Sequence, residues 1–439
     1  MTSSRRAPKA PSFREALGFW SKLGWISFGG PAGQIAIMHR ELVERRRWLG
    51  EEHFLHALNF CMLLPGPEAQ QLATYLGWRL HGAKGGIAAG ALFVIPSVFI
   101  LFALSWLYMA GGEVGWIRGI FHGLMPAVIA IVVVALLRIG SKALKTPALW
   151  GLALAAFVAI FFLKLSFILI VAGAALVGWV GGRRFPRQFP AGKSRHAGSG
   201  EELEALELPP APRASWRRTA VVSTVCLVLW WLPVLACGWL LGWSGIHFQE
   251  GVFFSKAALV TIGGAYAVLP YVAQMAVMHH GWLGQGQMMA GLGLAETTPG
   301  PLVMVLQFVG FVAAWQHPGG LPPLLAATLG AALTTWVTFL PCFLFVFLGA
   351  PHVEGLRERP AIASTLTAIT AAVVGVILNL AIWFAWHALW PEGGGLDLFV
   401  AGLALAAFVA MERLKLGVIP TLLGCAILGV VRVTLWPSG

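Results

Sequence analysis

The sequence predicts an all-α, polytopic membrane protein made of two inverted-topology repeats, each with re-entrant or broken helices at a GG and a PGP motif. Three observations carry that expectation. First, 58% of the 439 residues are hydrophobic and only 11% are charged, against about 25% charged in soluble globular chains, and mean hydropathy is +0.78. Apolar runs of about 20 residues recur along the chain, the length a helix needs to cross a hydrocarbon core. Second, the block Phe19 to Pro67 returns 234 positions later as Phe253 to Pro301, without a gap and with 13 identities in 49 pairs. The surviving residues are those of backbone geometry and charge, a signature of internal duplication. Third, GLALAAFVA stands at Gly151 to Ala159 and again at Gly402 to Ala410, and the match extends to 16 identities in 28 positions. Each half therefore carries the whole unit.

The elements follow in order. A basic arm, Met1 to Pro11, carries Arg5, Arg6 and Lys9, with Arg14 just beyond; basic flanks mark the cytoplasmic side. No apolar stretch with a small-residue cleavage site follows, so no cleaved signal peptide is expected. A single crossing from Phe13 to Val43 would leave Arg45, Arg46 and Arg47 outside, against the charge rule. The segment reads instead as two half-length helices, broken at Gly29-Gly30-Pro31, that dip in and return. His53 to Lys84 reads the same way, broken at Pro65-Gly66-Pro67, because glycine and proline free backbone groups that only protein or water can satisfy. Full crossings are expected at about 86–110, 117–138, 147–163 and 165–182, near the length that spans a bilayer.

Residues 1–182 thus form an N-terminal membrane repeat. Residues 183–218 are a polar, proline-rich linker. It has an acidic patch at Glu201, Glu202, Glu204 and Glu207 and basic ends at Arg183, Arg184, Arg187, Arg213, Arg217 and Arg218, so it belongs in the cytoplasm. An extra apolar helix, Thr219 to Leu241 within 219–242, has no counterpart in the first half. One extra crossing turns the C-terminal repeat, 243–439, upside down. The charges agree: Arg45, Arg46 and Arg47 become His279, His280 and Gly281, the Lys84 turn becomes Pro318-Gly319-Gly320, and Lys142 and Lys145 are answered by Pro391-Glu392-Gly393. Those loops read as external, and the loops with Arg357, Arg359, Arg413 and Lys415 as internal. Such inversion is the layout of many secondary transporters.

The net charge of +12 sits at segment ends and loops, where the membrane rule explains it, and nucleic acid is not an expected partner. Cys61, Cys226, Cys237, Cys342 and Cys425 stand singly in apolar sequence, with no disulfide framework or metal spacing. No metal and no cofactor are expected. The absence of GxxxxGKS/T, HExxH and a serine elbow leaves ATP-driven transport and the commonest hydrolase schemes little support.

Inverted-repeat transporters hold substrate near the midplane at the ends of broken helices, and a helix N-terminus suits an anion. The substrate-binding candidates are therefore Gly29 and Gly30 with Gly263 and Gly264, and Pro65, Gly66 and Pro67 with Pro299, Gly300 and Pro301. The same motifs are also compatible with simple kinks and close helix packing. Lys22 and Lys256, each following a matched serine (Ser21, Ser255), lie seven residues before their GG, about two helical turns. A lysine in a membrane segment reads as a substrate counter-charge, with snorkelling to the interface as the alternative. Glu68 follows the first PGP directly and Glu296 precedes the second by three residues; both are coupling or proton candidates, or else carboxylates paired to Arg79 or a lysine. Ser27, Gln34, Asn59, Gln70, Gln71 and Thr74, with Thr261, Gln274, Thr297, Thr298 and Gln307, offer hydrogen bonds to an oxyanion or serve as helix contacts. His39, His53 and His56 read as interfacial, as do most of the 20 tryptophans.

On FWSKLGWISFGGPAGQIAIMHRELVERRRWLGEEHF and LLPGPEAQQLATYLGWRLHG, echoed by SKAALVTIGGAYAVLPYV and AETTPGPLVMVLQFVGF, the chain resembles long-chain members of the bacterial chromate ion transporter family. The resemblance covers all but the arm and linker. It implies export of chromate, a tetrahedral dianion akin to sulfate, through the inner membrane, conferring chromate resistance. The second copy departs at Ala265 for Pro31 and Leu302 for Glu68, so the two halves are expected to do different jobs. A membrane-embedded enzyme handling lipid phosphate, and an anion channel, are the competing readings. The bilayer is the expected surrounding, and a homodimer one candidate assembly.

Overall fold

The computed structural model describes residues 11–112, 114–190, 215–352, 360–390 and 395–435. The arm before Pro11, most of the linker with its acidic patch, Arg213, Arg357, Arg359 and Pro391 to Gly393 lie outside the described residues. The protein is all-α, with sixteen α-helices and no strand among the described residues. Seven of these are long and apolar enough to cross a membrane. It is a polytopic membrane protein.

In the first half, α1 (Phe13–Ile26) stops before Gly29 and Gly30, both at positive φ, and α2 (Gly30–His39) restarts with Pro31 in its first turn. A π-helical turn, Arg40–Arg45, closes α2 and leads to α3 (Glu51–Cys61). The chain breaks again at Pro65-Gly66-Pro67 and enters α4 (Glu68–Gly111), which is kinked at His81 and Gly82. Then come α5 (Gly115–Ala143), α6 (Pro147–Phe161) and α7 (Phe167–Arg184). Both expected breaks are thus present. α6 has 15 residues, about 22 Å at 1.5 Å per residue, and falls short of the hydrocarbon thickness of about 30 Å.

The unmatched helix α8 (Trp216–Leu241) packs on the outside, with Trp216 85% and Trp239 78% exposed, as a lipid-facing helix requires. The second half then runs α9 (Ile246–Val260), α10 (Ala265–Ala273), a π-turn Gln274–His279, α11 (Gln285–Thr297), α12 (Val305–Gln316), α13 (Pro323–Gly349), α14 (Pro360–Leu389), α15 (Leu398–Glu412) and α16 (Val418–Leu435). Where α4 only kinks, the second half leaves the helix altogether between α12 and α13. Pro318, which has no N–H to give a ladder, accounts for the difference.

The two copies repeat backbone detail as well as sequence. The π-turns lie 234 positions apart, and the bonds Arg46 N–H to Glu41 O (3.0 Å) and Trp48 N–H to Leu42 O (2.8 Å) recur as His280 to Met275 (2.9 Å) and Trp282 to Ala276 (2.8 Å). Lys164 and Lys415 both take positive φ, 53° and 55°, in the matched turns that end α6 and α15.

The halves are interlocked. α5 makes its largest contact with α16 of the other half, and α14 with α7 and α6. Small residues permit it, as is usual between membrane helices: a Cβ on Gly123 would strike the Cys425 carbonyl, one on Gly429 the Gly119 carbonyl, and one on Gly375 the Ala153 carbonyl. Pro96 in α4 cannot bond the Leu92 carbonyl, and α1 crosses that exposed oxygen at Gly24, where any side chain would collide with it. Gly123→Leu should therefore destabilise the folded protein by about 1–3 kcal/mol or more. Gly151→Leu, at a helix position with open space, should stay within about 0.5 kcal/mol. Thermal unfolding of the purified protein in one detergent compares them directly.

Candidate functional site at the helix breaks

The breaks of opposite halves meet. Gly66 N–H donates to the Thr261 carbonyl at 2.7 Å, and Gly300 N–H donates to the Ser27 carbonyl at 2.8 Å. Ser27 and Thr261 are matched positions, as are Gly66 and Gly300, so each PGP is pinned to the other half's GG. The glycines adopt φ +125° and +103°, a region L residues rarely enter. Each also faces a small side chain after a helix proline: a Cβ on Gly66 would lie 2.8 Å from Cys342 Sγ, and one on Gly300 would collide with Ser97 Oγ. Pro96-Ser97 on α4 and Pro341-Cys342 on α13 are thus equivalent cradles.

Most of the polar groups offered above to an oxyanion are spent on this architecture. Gln34 Nε2 donates to the Gly300 carbonyl (2.5 Å) and to the Ser27 carbonyl (3.2 Å), Gln71 Nε2 to the Pro65 carbonyl (2.6 Å), and Gln307 Nε2 to the Val98 carbonyl (2.9 Å). Ser97 Oγ donates to the Pro299 carbonyl. The hydroxyls of Ser27, Thr261, Thr297 and Thr298 return to carbonyls three or four residues back. What remains unpaired and buried are amide oxygens: Gln34 Oε1, Gln70 Oε1, Gln71 Oε1 and Gln307 Oε1. The side-chain amides therefore present acceptors. At the starts of α2 and α4 the first-turn N–H groups lack intrahelical acceptors, whereas in the second half Ala267 N–H donates to the Gly264 carbonyl (3.1 Å) and Met304 N–H, in a 3-10 turn ahead of α12, to the Pro301 carbonyl (2.9 Å).

The carboxylates take different places. Glu68, at the start of α4, faces the second half's GG: a Cβ on Gly264 would lie 3.3 Å from its Oε1. Glu296 is buried and accepts a hydrogen bond from Tyr266 Oη at 2.6 Å, with Arg138 of α5 in electrostatic reach of both. Lys22 and Lys256 are exposed at matched positions on α1 and α9, about 10 Å along the helix from their breaks at 1.5 Å per residue. Ser255 is buried and accepts from Trp230 Nε1 at 2.9 Å, whereas Ser21 is half-buried.

Sequence reasoning missed Tyr266, Arg138 and the Ser97/Cys342 pair. It also missed Glu250, fully buried on α9; its isolation in apolar sequence was the available signal. A cavity of about 330 Å³, lined in part by Lys164, Gln274, Asn379 and His387, lies at one end of the fold. It includes no GG or PGP residue, and the breaks remain the site with matched geometry.

In the first π-turn the buried Glu41 accepts from Arg45 Nη1 at 2.6 Å and lies 3.6 Å from Arg46 Nε. His39 bridges Glu44 and Glu51, in keeping with an interfacial role. The hydrogen bond from Arg45, then the Arg45, Arg46 and Lys22 charges, hold the Glu41 carboxyl below its ordinary value against the opposing effect of burial.

A family model described as Chromate transporter matches residues 14–179 and 248–430, both halves of the chain. The chain belongs to the chromate transporter family. It is 32% identical over 436 residues to a chromate transport protein of Pseudomonas aeruginosa, covering 97% of this chain and 94% of that one. It is 30% identical to a chromate transport protein of Cupriavidus metallidurans, covering 98% and 96%. An uncharacterized transporter of Bacillus subtilis aligns over 133 residues at 26% identity, 30% of this chain but 68% of its own, which is the scale of one repeat. No solved structure matches the chain.

Two outcomes are expected. Gly300→Ala should cost about 1–3 kcal/mol from backbone strain alone, with the Ser97 collision added, and thermal unfolding should show it losing more stability than Gly29→Ala, whose surroundings are open. A depressed carboxyl stabilises the fold above its unfolded-state value and loses that contribution as pH falls through the folded one. The melting-temperature gap between wild type and Glu41→Gln should therefore be widest near neutral pH and close in acid.

Proposed function

We propose that this chain is a secondary active transporter that exports chromate across the bacterial inner membrane through an oxyanion site where the breaks cross. The crossed pairing of Gly66 with Thr261 and of Gly300 with Ser27 carries the reading. It supports convergence of four helix starts on one place, and helix N-termini favour anions. In this proposal Gly29, Gly30, Gly263 and Gly264 let the dianion approach the backbone, the two PGP turns aim the N–H groups, and Ser21 and Ser255 set the adjoining helices. Lys22 and Lys256 supply positive potential on the two approaches. Glu68 and Glu296 are the coupling carboxylates at the site. Sulfate, of like shape and charge, is the expected competitor, and a homodimer the proposed assembly.

The inverted orientation draws support from contacts at the ends of the fold. His81 bonds the Pro11 carbonyl, Thr146 the Gln188 carbonyl and Ser364 the Phe189 carbonyl, while Arg218 lies over the Trp78 ring. These contacts join helix ends and the linker's edges on the side that the charge rule assigns to the cytoplasm. Lys164, Gln274 and His387, near the turns that fall on the opposite side under that scheme, line one cavity.

Chromate uptake into inverted membrane vesicles tests the reading. Because each lysine acts through potential on an approach and not through a direct bond, Lys22→Ala and Lys256→Ala should each raise the half-saturating chromate concentration severalfold, most at low ionic strength. Wild-type flux in both variants, at normal membrane levels, would overturn the two-lysine site.

A further inference from the structure

Glu250 has no solvent exposure, and neither carboxylate oxygen has a hydrogen-bond partner. Thr334 on α13 is equally buried, and its Oγ1 is also unpartnered. The two groups line one helix crossing, that of α12 and α13 at Gly310 and Gly330. A Cβ on Gly330 would lie 2.9 Å from Glu250 Oε2 and 2.6 Å from the Gly310 carbonyl, and a Cβ on Gly310 would strike Thr334 Oγ1.

The first half builds the same crossing from Gly77 and Gly85 within α4, each facing the other's carbonyl. There the position of Glu250 is Ala16 by the 234-residue offset, and the position of Thr334 is Ala89 when Pro96 is matched to Pro341. Methyl groups suffice for packing at this place. The second half has exchanged them for an acid and a hydroxyl, so the pair answers a need other than packing.

An isolated carboxylate in a dry interior is opposed by a solvation cost of tens of kcal/mol. A proton removes that cost and creates an O–H donor, and Thr334 Oγ1, unpartnered at the same crossing, has acceptor capacity to spare. A metal cation does not suit the crossing, since it needs several oxygens around an open space and added atoms here meet backbone and side chains. Other titratable groups near Glu250 are few among the described residues. Cys237 on α8 lies within its electrostatic reach, and His247, one turn earlier on α9, is buried with Nε2 bonded to the Ala326 carbonyl at 2.9 Å. α12 and α13 carry no charged side chain. On α10, Tyr266 turns to Glu296 and Tyr271 to the Phe253 ring.

We propose that Glu250 is a proton-binding site of the second half, with Thr334 as its hydrogen-bond acceptor and His247 as its link to the start of α9, and that its proton takes part in driving export. The coupling role rests on the secondary-transport reading above; the protonation does not. Infrared spectroscopy of the full chain in lipid should show a protonated-carboxyl C=O band at neutral pH that Glu250→Gln removes. Thr334→Val, which keeps the acid, should shift that band. In proteoliposomes, an imposed proton gradient should accelerate chromate flux severalfold in wild type and not at all in Glu250→Gln, with chromate exchange at zero gradient retained. An unchanged band in Glu250→Gln overturns the proton site, and gradient acceleration persisting in that variant overturns its coupling role. If wild type itself shows no gradient acceleration, the secondary-transport reading fails, and the band still decides the proton site.

Discussion

A helix broken inside a membrane must find partners for the peptide groups it frees, and the rest of this structure depends on how that demand is met. In hydrocarbon each unsatisfied group costs several kcal/mol. Here the carbonyl released before each GG accepts the N–H released in the opposite PGP. Each break needs a bond from the other half as well as those within its own, so neither half has a complete interior alone. The positive φ of Gly66 and Gly300 and the small side chains of Ser97 and Cys342 follow from that one requirement. So does the use of Gln34 and Gln71 to cover carbonyls the crossed bonds leave open.

The helices outside the breaks reinforce this exchange. α5 lies along α16, and α14 along α7 and α6, so the closing pair of each half is clasped by the other half's long helix. Duplication preserved this backbone plan while the chemistry diverged. Glu68 answers to Leu302, Ser97 to Cys342, Gln34 to Val268, and Ala16 to Glu250. The first half concentrates amides and a carboxylate at the breaks, and the second places its acids at Glu250, Glu296 and, outside the membrane segments' centres, near the closing turns.

Much of the fold was legible because glycine and proline are punctuation with a mechanical cause. The breaks at Gly29-Gly30 and Pro65-Gly66-Pro67, the extra helix before Phe253 and the start of each closing pair all stand where the residues demand. The partners across the breaks were not legible: a bond between Gly66 and Thr261 joins residues far apart in the chain, and no local pattern encodes it. Gln34, Gln71 and Gln307 could be read either as oxyanion donors or as helix contacts, and only the structure decides for contacts, since a glutamine's donor is free for a ligand only if no nearby carbonyl is orphaned. Glu250 was overlooked although it stands alone among apolar residues. Setting it against Ala16 in the repeat frame would have exposed it.

The electrostatics of the crossing bear on which ligand it can hold. A helix start carries about half a positive charge, so four of them facing one point would amount to about two, the magnitude of a tetrahedral dianion's charge. Such a site, empty, would leave that potential uncompensated beside the buried oxygens of Gln34, Gln70 and Gln71, which moderate it. Those acceptors repel an oxyanion's own oxygens unless a water or a proton lies between. In the proposed site Glu68, poised at Gly264, would supply such a proton when neutral and oppose the dianion when charged. Binding and release at the crossing would then be set by the protonation of one side chain, which the second half, with Leu302 at that position, lacks.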